Sequence, residues 1–96
     1  MKREELFSIL SAHQAELLDR GVKDLAVFGS VARGDSSETS DVDILVEFNH
    51  AVGLFEFVRL KMLLEKWIGH RVDLVTPDAL HPALRERILK GAIYIH

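Results

Sequence analysis

The chain has 96 residues, 48% of them hydrophobic, and a formal net charge of −3. This length predicts a single domain over residues 1–96 with one modest core. The mild acidity argues against direct nucleic-acid binding, which needs a basic surface. The absence of cysteine excludes disulfides and thiolate metal sites. The first residues turn acidic at once and lack the long apolar run of a signal peptide or membrane span, so we expect a cytoplasmic protein without a membrane partner.

The first part of the chain predicts a helix and then a strand. A helix from about Arg3 to Arg20 ends near Gly21, a common helix stop. Its apolar stripe consists of Leu6, Leu10 and Leu17. His13 lies beside this stripe, and we interpret it as a half-buried residue at the core margin rather than a catalytic one. The apolar segment Leu25–Phe28 predicts a buried strand.

A Gly-Ser pair follows this strand directly. Ser30–Arg33 predicts the first turn of a helix, so the pair would lie where a strand turns into a helix. Such a turn presents backbone N–H groups at the positive end of the helix dipole, which suits phosphate. Gly29 would let the backbone approach a ligand, and the Ser30 hydroxyl would add a donor. The alternative is a tight turn with Ser30 as an ordinary N-cap.

Two aspartates precede the next apolar run. Asp41 and Asp43 lead into Ile44–Phe48, which predicts a second buried strand. Because side chains alternate along a strand, the two carboxylates would share one face. They would repel each other when ionised, and Mg²⁺ would remove that repulsion while keeping positions free for phosphate oxygens. The alternative is a polar start of the strand, with Asp41 capping a turn and Asp43 solvated.

The segment between these motifs is polar. Arg33 is a candidate for contacting a phosphate or positioning an aspartate, and equally for a surface salt bridge. The Ser40 hydroxyl is a candidate for holding the metal loop or for capping it. Asp35 follows a glycine, and we interpret it as a turn former.

A longer helix is predicted from about Gly53 to Gly69. Apolar residues recur along it at helical spacing, so one wide face would be buried. Trp67 belongs to that face, and we interpret it as a core residue rather than one that stacks on a base. The charged residues of the helix, Glu65 among them, are expected to lie on its solvated side.

The C-terminal part predicts a short strand and a last helix. Asp73 interrupts the apolar strand Val72–Val75, where a lone acid is costly unless it faces solvent or a cation. Asp73 is therefore a candidate functional carboxylate, and the alternative is an exposed edge position. A helix from about Pro82 to Lys90 should stop at Gly91. The apolar segment Ala92–Ile95 would be either an edge strand or a partner-binding tail.

Three motifs together resemble the signature of the minimal nucleotidyltransferases of the DNA polymerase β superfamily. They are Gly29-Ser30, Ala32-Arg33-Gly34-Asp35 and Ser40-Asp41-x-Asp43. The resemblance covers nearly the whole chain, and it implies an α/β (α+β) nucleotidyltransferase-like fold with a small mixed β-sheet flanked by helices. It also implies a third carboxylate on a following strand, which Asp73 fits.

The resemblance further implies a function. Members of this family use Mg²⁺ to transfer a nucleotide from a nucleoside triphosphate, so we expect ATP as substrate and two ions held by Asp41, Asp43 and Asp73. Gly29, Ser30, Arg33 and Ser40 would bind the nucleotide, and Asp73 would act as general base. Many similar proteins are antitoxins encoded beside a HEPN-domain ribonuclease toxin, and some transfer AMP onto it. The implied partner is therefore a HEPN toxin, with a tyrosine as acceptor.

Two alternatives stay open at this point. The domain could neutralise its partner by covering it, without catalysis, although three clustered acids are expensive to keep for shape alone. It could also be a nucleotide sensor that binds ATP without transferring it. The sequence leaves open the base preference, the acceptor residue and the oligomeric state, a homo-oligomer included.

Overall fold

A computed structural model of the chain describes residues 2–34 and 41–95. The helices in these ranges are α1 (Arg3–Ala12), α2 (Gln14–Asp19), α3 (Gly29–Arg33), α4 (Leu54–Ile68) and α5 (Pro82–Gly91). The strands are β1 (Val22–Phe28), β2 (Val42–Phe48), β3 (Val72–Val75) and β4 (Ile93–Ile95), and a 3₁₀ turn at Pro77–Ala79 leads into α5. None of these helices is long and apolar enough to cross a membrane.

The four described strands form one mixed sheet in the order β3-β2-β1-β4. β1 is antiparallel to β2 and to β4, whereas β2 and β3 are parallel. A parallel pair needs a long crossover connection, and α4 supplies it here. The mixed sheet flanked by helices confirms the predicted fold class. The segment Ala92–Ile95 was expected to be an edge strand or a tail. It contains the edge strand β4, in which Tyr94 pairs with Ala26.

The two faces of the sheet differ. Every second residue of β2 is buried in the core cluster together with the leucines of α1 and α4. These fully buried side chains include Val42, Ile44, Val46, Leu6, Leu10, Leu60 and Leu64. Because side chains alternate along a strand, Asp43, Leu45 and Glu47 point to the other face. We call this second face the open face, and α5 covers only part of it.

The N-terminal helix is shorter than predicted. The chain breaks at His13 (φ −107°, ψ 16°), which separates α1 from α2. The His13 ring stacks on Trp67 of α4, with centroids 3.8 Å apart and 4° between the planes. Both rings are half-buried, as expected of the core margin for His13. Leu17 of α2 is still part of the core.

Three other boundaries differ from the prediction. β2 begins at Val42, two residues before the predicted start at Ile44, so Asp43 lies inside the strand. β1 begins at Val22, earlier than expected, because a register shift between Val22 and Asp24 lets the polar residues there join the strand. α5 includes Gly91, which was predicted as its stop, and Ala92 is the C-cap residue. The long helix and the short strand that carry the rest of the fold were predicted within a residue.

Candidate active site

The fold brings the predicted carboxylates together at one end of the open face. Asp43 and Asp73 are direct partners in the parallel register of β2 and β3, and neighbouring strands lie about 4.8 Å apart. Asp41 immediately precedes β2. Asp43 is half-buried, whereas Asp41 and Asp73 are exposed. Asp73 thus lies on an edge strand, as the alternative proposed, and still stands beside Asp43.

The three acids influence one another electrostatically. The pKa of Asp43 is raised mainly because burial penalises its charged form, and the negative charges of Asp73 and Asp41 raise it further. The positive charge of Arg33 acts in the opposite direction. A cluster in which one carboxylate resists ionisation is the setting that a divalent cation relieves.

The backbone at Gly29 lies against the Asp43 carboxylate. Gly29 has φ +72°, in the left-handed region that glycine adopts readily. A Cβ added there would overlap Asp43 Oδ2 and lie 3.0 Å from its Cγ. Phe28, the preceding residue, is the register partner of Asp43 on the antiparallel side. This position therefore requires glycine for two reasons. The backbone angle favours glycine, and the Asp43 carboxylate occupies the space that a side chain would need.

The Gly-Ser pair opens α3, as predicted. The N-cap residue of α3 is Phe28, and its side chain makes no capping hydrogen bond. Ser30 lies inside the helix and is half-buried, so the interpretation of Ser30 as an ordinary N-cap is wrong. Because α3 begins at Gly29, its first turn lies next to the Asp43 carboxylate. Ser40 falls outside the described residues.

Two hydrogen bonds that the sequence did not predict link other elements to α3 and β3. Arg3 Nη1 donates to the Ala32 carbonyl oxygen at 3.1 Å and so ties α1 to the end of α3. Glu65 Oε2 accepts a hydrogen bond from the Val72 backbone N–H at 2.9 Å, one residue before Asp73. Glu65 was predicted to be solvated. Helical periodicity could not reveal either contact, because each partner lies in another element.

A cavity of about 600 Å³ lies beside the Gly29 turn, between α3 and α5. Its lining residues are Phe28, Gly29, Arg33, Arg87, Ile88 and Gly91. Sequence analysis identified the α3 side of this cavity and missed Arg87, since nothing in the local pattern of α5 distinguishes it from other exposed cations.

The carboxylates fit a metal ion that arrives together with phosphate. Within residues 2–34 and 41–95, no group of three or more Asp, Glu, His or Cys side chains is arranged as a ready ligand set. Mg²⁺ is commonly bound by one or two protein carboxylates, with substrate phosphates and water as the other ligands. The Asp43–Asp73 pair, with Asp41 alongside, provides such a partial set of hard oxygen ligands.

Known proteins are similar to this chain over most of its length. The sequence profile of the family described as nucleotidyltransferase domain matches residues 10–95. Protein adenylyltransferase MntA of Thermococcus cleftensis is 44% identical over 93 residues, which cover 96% of this chain and 94% of the relative.

Solved structures support the same fold. One assigned as a minimal nucleotidyltransferase matches with a TM-score of 0.85 and 42% identity, over 97% of this chain and 95% of that one. A complex of tri-AMPylated Shewanella oneidensis HEPN toxin with MNT antitoxin gives a TM-score of 0.65 at 18% identity, over 92% and 70% of the two chains. At this lower identity the likeness concerns the fold alone.

Proposed function

This chain belongs to the nucleotidyltransferase domain family, and we propose that it transfers AMP from ATP to a hydroxyl group of a partner protein. The resemblance noted from the motifs and the predicted enzyme class, a nucleotidyltransferase, are both confirmed by the family match and by the MntA relative. That relative's name, protein adenylyltransferase, supports a protein as the acceptor. The observation that carries the proposal is the register of Asp43 against Asp73, beside the Gly29 turn.

Each residue of the site has a role in the proposed reaction. Asp41 and Asp43 would hold Mg²⁺, and Asp73 would complete the site of a second ion. When bound, the ions supply charge neutralisation of the triphosphate. Asp73 takes the proton of the acceptor hydroxyl, whose oxygen bonds to the α-phosphorus as the bond to pyrophosphate breaks. The exposure of Asp73 on the edge strand suits this role, since an external acceptor can reach it.

The Gly-Ser turn would bind the rest of the triphosphate. Backbone N–H groups at the start of α3 and the Ser30 hydroxyl are donors suited to the β- and γ-phosphates. Arg33 would add a positive charge from the end of the same helix, and the lowering effect of that charge on the pKa of Asp43 supports this role. We retain Ser40 as a further nucleotide contact in this proposal.

The proposed partner is a HEPN-domain ribonuclease toxin, with a tyrosine as the acceptor. The family resemblance supports this pairing, and so does the fold shared with an MNT antitoxin solved together with its AMPylated HEPN toxin. On this account the chain acts as an antitoxin by modifying the toxin, in the cytoplasm where ATP is available.

A second candidate function is neutralisation of the partner by binding alone. It is favoured by an exposed apolar surface on α4, where Leu54, Phe55 and Met62 are 78%, 74% and 63% exposed. Exposed apolar patches often mark surfaces that bind other proteins. This candidate requires none of the aspartates.

A labelling experiment separates the two functions. Wild type and the Asp41→Asn/Asp43→Asn double variant would be incubated with Mg²⁺, ATP labelled at the α-phosphate, and lysate of the source organism, followed by pull-down. We expect a labelled protein band with wild type only, and recovery of the same partner with both proteins. A tightly bound partner without label from either protein would refute AMP transfer and leave neutralisation by binding.

A further inference from the structure

The cavity between α3 and α5 combines a size and a chemistry that suit part of a nucleotide. Its volume of about 600 Å³ lies within the range of about 300–1,000 Å³ typical of small-molecule sites. Arg33 and Arg87 line it from two different helices, and its lining residues within 2–34 and 41–95 include no acidic side chain. Phe28 and Ile88 are the apolar residues of this lining.

This cavity adjoins the carboxylate cluster. It reaches Gly29, whose missing side chain leaves the space that the Asp43 carboxylate fills. Phe28, another lining residue, is paired with Asp43 in the sheet. A chain of phosphates that begins at the aspartates and passes the Gly29 turn would therefore enter the cavity.

The two arginines of α5 differ in their surroundings. Arg85 donates through Nη2 to the Pro77 carbonyl oxygen at 3.0 Å and to Asp78 Oδ1 at 3.2 Å. Arg87 has no hydrogen-bond or ion-pair partner among the described residues. Residues two apart lie on roughly opposite sides of a helix, so Arg87 faces away from the contacts that hold Arg85. Its guanidinium group can therefore bind a ligand without breaking any of these contacts.

The position of Arg87 is fixed by the sheet. The strand β4 follows α5 almost directly and pairs with β1, with Ile93 opposite Val27. This pairing anchors the end of α5 close to the end of β1, where Gly29 begins the turn. The helix that carries Arg87 is thus anchored beside the site through β4, although Arg87 is far from the motifs in sequence.

We propose that Arg87 contacts the β- and γ-phosphates of the bound nucleoside triphosphate, opposite Arg33, and so binds the pyrophosphate that leaves. The proposal rests on the proposed function, because it assumes that ATP binds at the aspartates. A guanidinium group suits this role, since it is always charged and forms paired hydrogen bonds with phosphate.

The test compares Arg87→Ala with Arg85→Ala, a matched change on the other side of the same helix. The affinities for ATP and AMP with Mg²⁺ would be measured by calorimetry, with thermal unfolding of each variant as the check on folding. We expect Arg87→Ala to weaken ATP binding by roughly tenfold or more and AMP binding by less than about twofold, since AMP lacks the phosphates in question. Arg85→Ala should leave both affinities unchanged, and Arg87→Lys should recover part of the ATP affinity.

The outcomes distinguish this inference from the proposed function. Wild-type ATP affinity in a folded Arg87→Ala protein, or equal weakening of ATP and AMP, would overturn the role of Arg87 while leaving AMP transfer intact. Selective loss of ATP affinity in Arg87→Ala, with no transfer by wild type, would support the contact and refute the transfer. A wild type that binds no ATP would overturn both.

Discussion

At the scale of single residues, the fold makes ionisation of the Asp43 carboxyl group unfavourable. Its pKa is higher in the folded protein than the ordinary value of 3.8, because of burial and of the charges of Asp73 and Asp41. The native state therefore binds more protons than the unfolded chain between these two pKa values. Stability consequently falls as pH rises through that interval, and it stays lower at neutral pH.

Replacement of Asp43 by asparagine should remove this cost. We expect Asp43→Asn to raise the Tm of the ion-free protein at pH 7, measured in EDTA. The gain should shrink as the pH falls through the folded pKa, because the wild-type carboxyl group is then protonated as well. Glu47→Gln is the matched control on the same strand and face, and it should change the Tm little. A Tm at pH 7 that is equal to or below that of wild type would contradict this account of Asp43.

The surroundings of Gly29 differ from those predicted from the sequence. The prediction was that glycine lets the backbone approach a ligand. In the structure the group that occupies the free space is the Asp43 carboxylate, from another strand. The Gly-Ser and Asp-x-Asp motifs are therefore in contact with each other, which their separation in sequence does not reveal.

At the scale of elements, β3 is the part of the site with the least support from the sheet. It has four residues and pairs with β2 on one side only. Its start is held by the hydrogen bond from the Val72 N–H to Glu65 of α4. Glu65 also lies 3.9 Å from Lys61 Nζ. We therefore expect the position of Asp73 to depend on this side chain from the crossover helix, which would make Glu65 a positioning residue.

Loss of the Glu65 acceptor should impair the site through Asp73. We expect Glu65→Ala to lower kcat for AMP transfer with little change in the KM for ATP, and to lower stability by about 1 kcal/mol, the net worth of one hydrogen bond. Glu65→Gln keeps an acceptor oxygen and should restore most of kcat. Lys61→Ala removes the ion pair alone and serves as the control. Wild-type kcat in Glu65→Ala would show that Asp73 is placed without this contact.

Local sequence patterns predicted some of these features and could not predict others. The helix α4 and the strand β3 follow from apolar spacing, because each buries one side against the core. The His13 ring stacks on Trp67 of another helix, and Glu65 accepts a hydrogen bond from Val72 of a strand, so local patterns do not predict either contact. Asp41, Asp43 and the Gly-Ser pair could be identified as candidates because each lies in a short local motif. Their roles, like that of Ser40, stay predictions.

At the scale of the whole molecule, the core and the candidate site lie on different faces of the sheet. One face is packed in the core with α1 and α4, and the open face carries Asp43 and Asp73 at its end. The apolar surface of α4 is exposed elsewhere on the molecule. A small domain can carry a costly carboxylate cluster in this way, because none of the core side chains is part of the site.

The central claim is that Asp43 and Asp73 form one catalytic centre. The most direct test is the rate at which label from α-phosphate-labelled ATP becomes bound to the partner protein in the presence of Mg²⁺. Asp43→Asn and Asp73→Asn should each lose about 100-fold or more of this rate, whereas Glu47→Gln should stay within about twofold of wild type. Labelling at the wild-type rate by a correctly folded Asp73→Asn protein would contradict the claim.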